Sequence, residues 1–125
     1  MTVEYLRLED LLQLAADLGD LVVRDLGLLE AAAQRPQTTL YGREAYPTIH
    51  QKAAVLLESL ARNHALVDGN KRISWLAVVV FYDVNALALD APDDDAYALI
   101  IAVSTGEIDY QRAAESLSGW CSARP

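Results

Sequence analysis

Residues 63–72 read Asn63-His64-Ala65-Leu66-Val67-Asp68-Gly69-Asn70-Lys71-Arg72, a short polar run between two long apolar, helix-periodic segments. The segment before it carries Ile49, Ala53, Leu56, Leu57, Leu60 and Ala61 at helical spacing, and the segment after it is almost wholly apolar from Ile73 to Tyr82. Two helices meeting at a polar loop predict an all-α architecture with chemistry at the junction. A helix beginning near Asn70 turns its first, unpartnered N–H groups and the positive end of its dipole toward the loop. Gly69 lets the backbone turn tightly, and Lys71 and Arg72 add full positive charge at the same place. Such a helix start is an anion site, best suited to phosphate. Asp68 has the wrong sign for phosphate but suits a magnesium ion that bridges phosphates. His64 is the side chain in the run able to take up a proton near neutral pH. A base, a metal ligand and a phosphate cradle are the parts of a phosphoryl or nucleotidyl transferase.

The stretch His64–Arg72, HALVDGNKR, resembles the signature of the Fic/Doc superfamily, HxFx(D/E)(G/A)N(G/K)R, and its NKR ending resembles the Doc (death-on-curing) branch. The likeness covers most of the chain. RDLGLLEAAAQRPQ (24–37), GREAYPTIHQKAAVLLESLARNH (42–64) and GEIDYQRAAESL (106–117) are similar to Doc-type segments in the expected order. Two positions depart from the wider pattern. Leu66 stands where the family usually has phenylalanine, an apolar anchor for the loop. AMP-transferring members read GNGRxxR, whereas this chain has Lys71 for the second glycine and Trp75 at the place of the second arginine.

The resemblance implies a single Fic/Doc domain over residues 1–125, an all-α bundle with a short flap or hairpin before the central helices. It implies a toxin of a toxin–antitoxin module that moves the terminal phosphate of ATP, with magnesium, to a threonine or serine hydroxyl of a target similar to translation elongation factor Tu. A Fic-type AMP transferase and a non-catalytic, protein-binding member of the fold are the alternatives. In the implied site His64 is the base and Asp68 the magnesium ligand. Gly69 and the backbone and side chain of Asn70 hold the phosphates, and Lys71 and Arg72 stabilise the transferring group. Arg62 faces the site in the Doc-like pattern; read by itself, it is a cation at a helix C-terminus. A Phd-like antitoxin whose C-terminal segment lies over the active site is the implied partner. Control from a separate chain is expected because the self-inhibiting pattern [ST]xxxE[GN] of other Fic proteins is not found.

Composition sets bounds around this reading. A chain of 125 residues with 53% hydrophobic and 22% charged residues suits one globular domain. A formal net charge of −8 argues against general nucleic-acid binding, which needs a basic face, and makes the cluster of Arg62, Lys71 and Arg72 more informative. The lone Cys121 excludes an internal disulfide and a cysteine zinc site, and points to a reducing cytoplasm. The start, Met1 to Tyr5, does not read as a signal peptide, and the apolar window 73–82 is too short to span a bilayer. That window is expected to form a helix buried on all sides.

Along the chain, periodicity predicts a first helix at about residues 8–18 and a second capped by Asp25 and ended by Pro36. Residues 35–47 lack period; read alone they are a plain surface loop between helices, and the family resemblance implies a flap or short hairpin there. Thr48 and Gln51 form a capping box for the helix that delivers His64. The central helix spans about 70–84, with Trp75, Val78, Val79, Phe81 and Tyr82 in the core. Asp93-Asp94-Asp95 is expected as cap and dipole complement of a further helix stopped at Gly106, and Asp109 as cap of the last. His50 is expected to be structural.

Overall fold

The computed structural model describes residues 2–125. Helix α1 (Leu8–Asp17) buries Leu11, Leu14 and Ala15 and is followed by Gly19 and Asp20, both at positive φ. Helix α2 (Leu26–Gln34) starts where the Asp25 carboxylate accepts from the Leu28 amide at 3.0 Å. A 3-10 turn at Arg35–Gln37, with Pro36 inside it, ends that run.

The aperiodic stretch is a hairpin. Strands β1 (Thr39–Leu40) and β2 (Arg43–Glu44) pair antiparallel through a two-residue turn, Tyr41-Gly42, with both residues at positive φ. Two positive φ values match the right-handed twist of such a short ribbon. Both strands are exposed. The hairpin's base is tied down by Lys52, which is 1% exposed; it donates to Glu44 at 3.0 Å and to the Tyr46 carbonyl.

Helix α3 (Ile49–Arg62) opens with the expected capping box, in which Gln51 N donates to Thr48 Oγ1 and Thr48 N to Gln51 Oε1, both at 3.1 Å. Helix α4 (Asn70–Val84) follows the polar loop. The centre of the bundle is α3, not the more apolar α4. Every residue from Lys52 to Ala61 is buried, because α2, α4, helix α5 (Asp93–Ser104) and helix α6 (Tyr110–Gly119) all pack on α3. The polar residues on this buried stretch of α3 have partners. Glu58 sits between Arg35 (2.9 Å) and Arg62 (3.3 Å), and Ser59 accepts from Arg35 at 3.0 Å. On α4, Val78, Phe81 and Tyr82 do enter the core, whereas Trp75 and Val79 are only partly buried. The expectation that residues 73–82 are buried all round is thus corrected: one face of α4 borders an open groove.

Two details at the C-terminal end also differ. Residues 87–89 form strand β3 (Leu87–Leu89), which pairs antiparallel with β4 (Cys121–Ala123). Pro92 is the residue before α5, so Asp93, Asp94 and Asp95 lie inside its first turn and complement the dipole without capping it. Asp109 does cap α6, accepting from Arg112 N at 3.0 Å. Among the described residues, no helix is long and apolar enough to cross a membrane.

Candidate active site

The loop between α3 and α4 is held against the α1–α2 connection by backbone hydrogen bonds. Val23 and Leu66 form an antiparallel bridge, and Val67 N donates to Val22 O at 2.9 Å. The amides of Arg24 and Asp25 both donate to Ala65 O, at 2.8 and 2.9 Å. Leu66, 1% exposed, is the apolar plug beneath the loop, so leucine fills the anchor position. Asn70 closes the loop from the other side. Its Oδ1 accepts from Leu66 N and its Nδ2 donates to Leu66 O, both at 3.0 Å.

At its two ends the loop adopts positive φ, +52° at His64 and +84° at Gly69. Glycine is required at the second. A Cβ on residue 69 would lie 2.5 Å from Leu21 Cδ1 and 3.1 Å from Arg72 Nη2. Gly69 precedes α4, whose first internal bond runs from Ile73 N to Gly69 O, at 2.9 Å. The amides of Asn70, Lys71 and Arg72 therefore precede the helical ladder and point out of its positive end.

His64, Val67, Asp68, Gly69, Asn70, Lys71 and Arg72 line one open cavity of about 280 Å³. The imidazole of His64 is exposed at its mouth, as are Lys71 and Arg72. Among the described residues, no acidic side chain pairs with Lys71, and Arg72 has only a loose contact with Asp68 at 3.9 Å. Both cations are open to an incoming anion. Asp68 is 90% exposed; one carboxylate oxygen accepts from Gly69 N at 2.8 Å and the other faces Arg72.

Three expectations for the site change. Arg62 does not face it: Nε donates to Val103 O at 2.6 Å, Nη2 to Ile108 O at 2.9 Å, and Nη1 pairs with Glu58. Its guanidinium satisfies a carbonyl in the last turn of α5 and one in the α5–α6 connection, a structural duty. The Asn70 side chain is engaged at both ends by the Leu66 backbone, which gives it a loop-bracing role and leaves one amide hydrogen uncommitted. The Gly69 amide is engaged by Asp68. The anion site therefore consists of the amides of residues 70–72 with Lys71 and Arg72.

One residue escaped the sequence reading. Arg24 donates through Nε (2.8 Å) and Nη2 to the carbonyl of His64. Nothing local to Arg24-Asp25 announces this, since the contact spans 40 positions. His50 is structural as expected: Nδ1 lies 2.8 Å from the hydroxyl of the buried Tyr82. Burial lowers the pKa of His50, and burial followed by the proximity of Cys121 raises that of Tyr82.

Magnesium is testable against this donor set. Among the described residues no cluster of three or more His, Cys, Asp or Glu side chains gathers to hold a metal ion. A single exposed carboxylate beside an anion site fits magnesium, which takes most of its oxygens from phosphates and water.

A model of the "Fic/DOC family" matches residues 5–82. The chain belongs to the Fic/DOC family. That match spans α1 through most of α4, and so contains the whole loop and the hairpin. The chain is also 49% identical, over 124 residues, to the protein named "Toxin Doc" from Mycolicibacterium smegmatis, covering 96% of this chain and 95% of that protein.

Proposed function

We propose that the protein is a cytoplasmic Doc-type toxin that transfers the γ-phosphate of ATP to a threonine or serine hydroxyl of a translation factor, with elongation factor Tu as the target class. The observation that carries this reading is the shared cavity. It brings an exposed histidine, two cations open to an anion and the amides of one helix N-terminus into reach of a single phosphoryl group. His64 accepts the proton of the target hydroxyl. The amides of Asn70, Lys71 and Arg72 bind the phosphoryl oxygens, and the Lys71 ammonium and Arg72 guanidinium neutralise charge on the transferring group. The free faces of the Asp68 carboxylate would hold magnesium, which supplies charge neutralisation of the polyphosphate. Lysine at position 71 and tryptophan at 75 favour phosphate over AMP transfer, since neither gives the backbone access or the second arginine of the AMP-transferring pattern.

The hairpin offers unpaired strand edges, with Leu40 60% exposed, so a target segment can add to it as a further strand. A groove lined by Leu18, Trp75, Leu76, Val79, Tyr97 and Ile100 adjoins the cavity, and Lys71 and Arg72 border both. It suits the apolar face of an antitoxin's C-terminal segment, whose acidic residues would meet the two cations. The name of the smegmatis relative supports a toxin–antitoxin setting.

The position of the label separates the possible activities. With ATP labelled on the γ-phosphate the target becomes labelled; with α-label it does not. The reverse pattern would move the protein to AMP transfer, and no label from either would favour a binding-only member of the fold.

A further inference from the structure

We infer that Arg24 is a positioning residue for His64, a remote cap on the helix end that presents the base. The inference rests on the proposed catalytic role of His64. Helix α3 must stop and release His64 in one step. Asn63 is still in the right-handed region at φ −84°, and His64 is already at φ +52°. A left-handed residue after a helix is ordinarily glycine or asparagine; for histidine the conformation is strained and persists only where surrounding contacts impose it. The last carbonyls of the helix also lack helical partners and lie at its negative end.

Arg24 meets both needs. Nε and Nη2, on one edge of the guanidinium, converge on the His64 carbonyl, and Nη2 also lies 3.5 Å from the Asn63 carbonyl. Two donors on one oxygen fix direction as well as distance. The other cation of this region, Arg62, is turned to the carbonyls of Val103 and Ile108. Among the described residues, Arg24 is the side-chain donor to these two loop carbonyls. The backbone continues the hold, through Arg24 N and Asp25 N to Ala65 O and Val67 N to Val22 O. Neighbouring side chains thus serve two helix ends: Asp25 caps the start of α2 and Arg24 the end of α3. Arg24 does not line the cavity, so its influence passes through the orientation of His64.

The test uses full-length Arg24→Ala and Arg24→Lys. A displaced base lowers kcat and leaves ground-state binding of ATP alone. Arg24→Ala should lose about 10- to 100-fold in kcat with the KM for ATP little changed. Lysine keeps the charge and the stem but cannot make the two-point contact, so Arg24→Lys should stay close to Arg24→Ala. It also serves as the test variant where Arg24→Ala does not fold. Millimolar guanidinium should restore part of the activity of Arg24→Ala. Independently of turnover, the His64 ring resonance in a 1H–13C spectrum should shift or broaden in both variants while that of His50 stays in place. An unchanged His64 resonance overturns the inference, as does full activity in Arg24→Lys or a rise in KM without loss of kcat. If the wild type transfers no phosphate, the proposed reaction fails, and the His64 resonance still decides the role of Arg24.

Discussion

Replacing Asn70 with alanine tests whether this side chain braces the loop or holds substrate. Its amide is bonded at both ends to the backbone of Leu66, at 3.0 Å each, and the residue is partly buried. Alanine removes both bonds and leaves an amide and a carbonyl of a largely buried segment without those partners. With a net contribution of about 0.5–1.5 kcal/mol per bond, Asn70→Ala should destabilise the fold by about 1–3 kcal/mol. The penalty should fall where the loop meets α4, so amide exchange should speed up at Leu66 and Val67 more than in α3. Asn70→Asp keeps the acceptor for Leu66 N but turns the donor for Leu66 O into a like-charged oxygen, and should be at least as damaging. Urea unfolding gives the stability change, and site-resolved amide exchange gives its location. If Asn70→Ala unfolds at the wild-type denaturant concentration, with unchanged exchange at Leu66, yet binds ATP more weakly, the side chain contacts phosphate and the bracing account is wrong.

Gly69→Ala forces a Cβ into the left-handed region and against Leu21. It should lower stability by about 1–2 kcal/mol by urea unfolding, and transfer activity at least tenfold, as the start of α4 shifts. Glu58→Gln removes the carboxylate between Arg35 and Arg62. With all three side chains at least two-thirds buried it should cost about 1–3 kcal/mol in the same assay, and wild-type stability would contradict the network. His50 has a lowered pKa in the fold, so below its ordinary value the unfolded chain binds more protons. Stability should therefore be full above about pH 6.5 and decline as pH falls below it, a slope that His50→Gln should reduce.

What the residues announced in advance follows from how local their physics is. The Thr48 and Gln51 capping box and the Asp25 and Asp109 caps each depend on neighbours within a few positions, and each stands as read, whereas the hairpin was expected from the family resemblance and not from its own residues. The loop from His64 to Arg72 is likewise one short segment, so its gathering into a single cavity was legible. Misreadings arose where long-range partners decide. The burial of Lys52, Glu58 and Ser59 has no local signal, because their partners, Glu44 and Tyr46 in the hairpin segment and Arg35 in the 3-10 turn, lie in other elements. Arg62 and Arg24 illustrate the same limit in opposite directions. Carbonyls 41 and 46 positions away draw Arg62 from the site, and carbonyls 39 and 40 positions away draw Arg24 toward it. Asn70 looked like a phosphate ligand because its partner, the Leu66 backbone, becomes adjacent only when the loop closes.

The most direct measurement is the intact mass of elongation factor Tu after incubation with the purified protein, magnesium and ATP. The account predicts a gain of one phosphate, lost or slowed by about two to four orders of magnitude in His64→Ala. A target that gains AMP, or that gains phosphate equally well with His64→Ala, would contradict it.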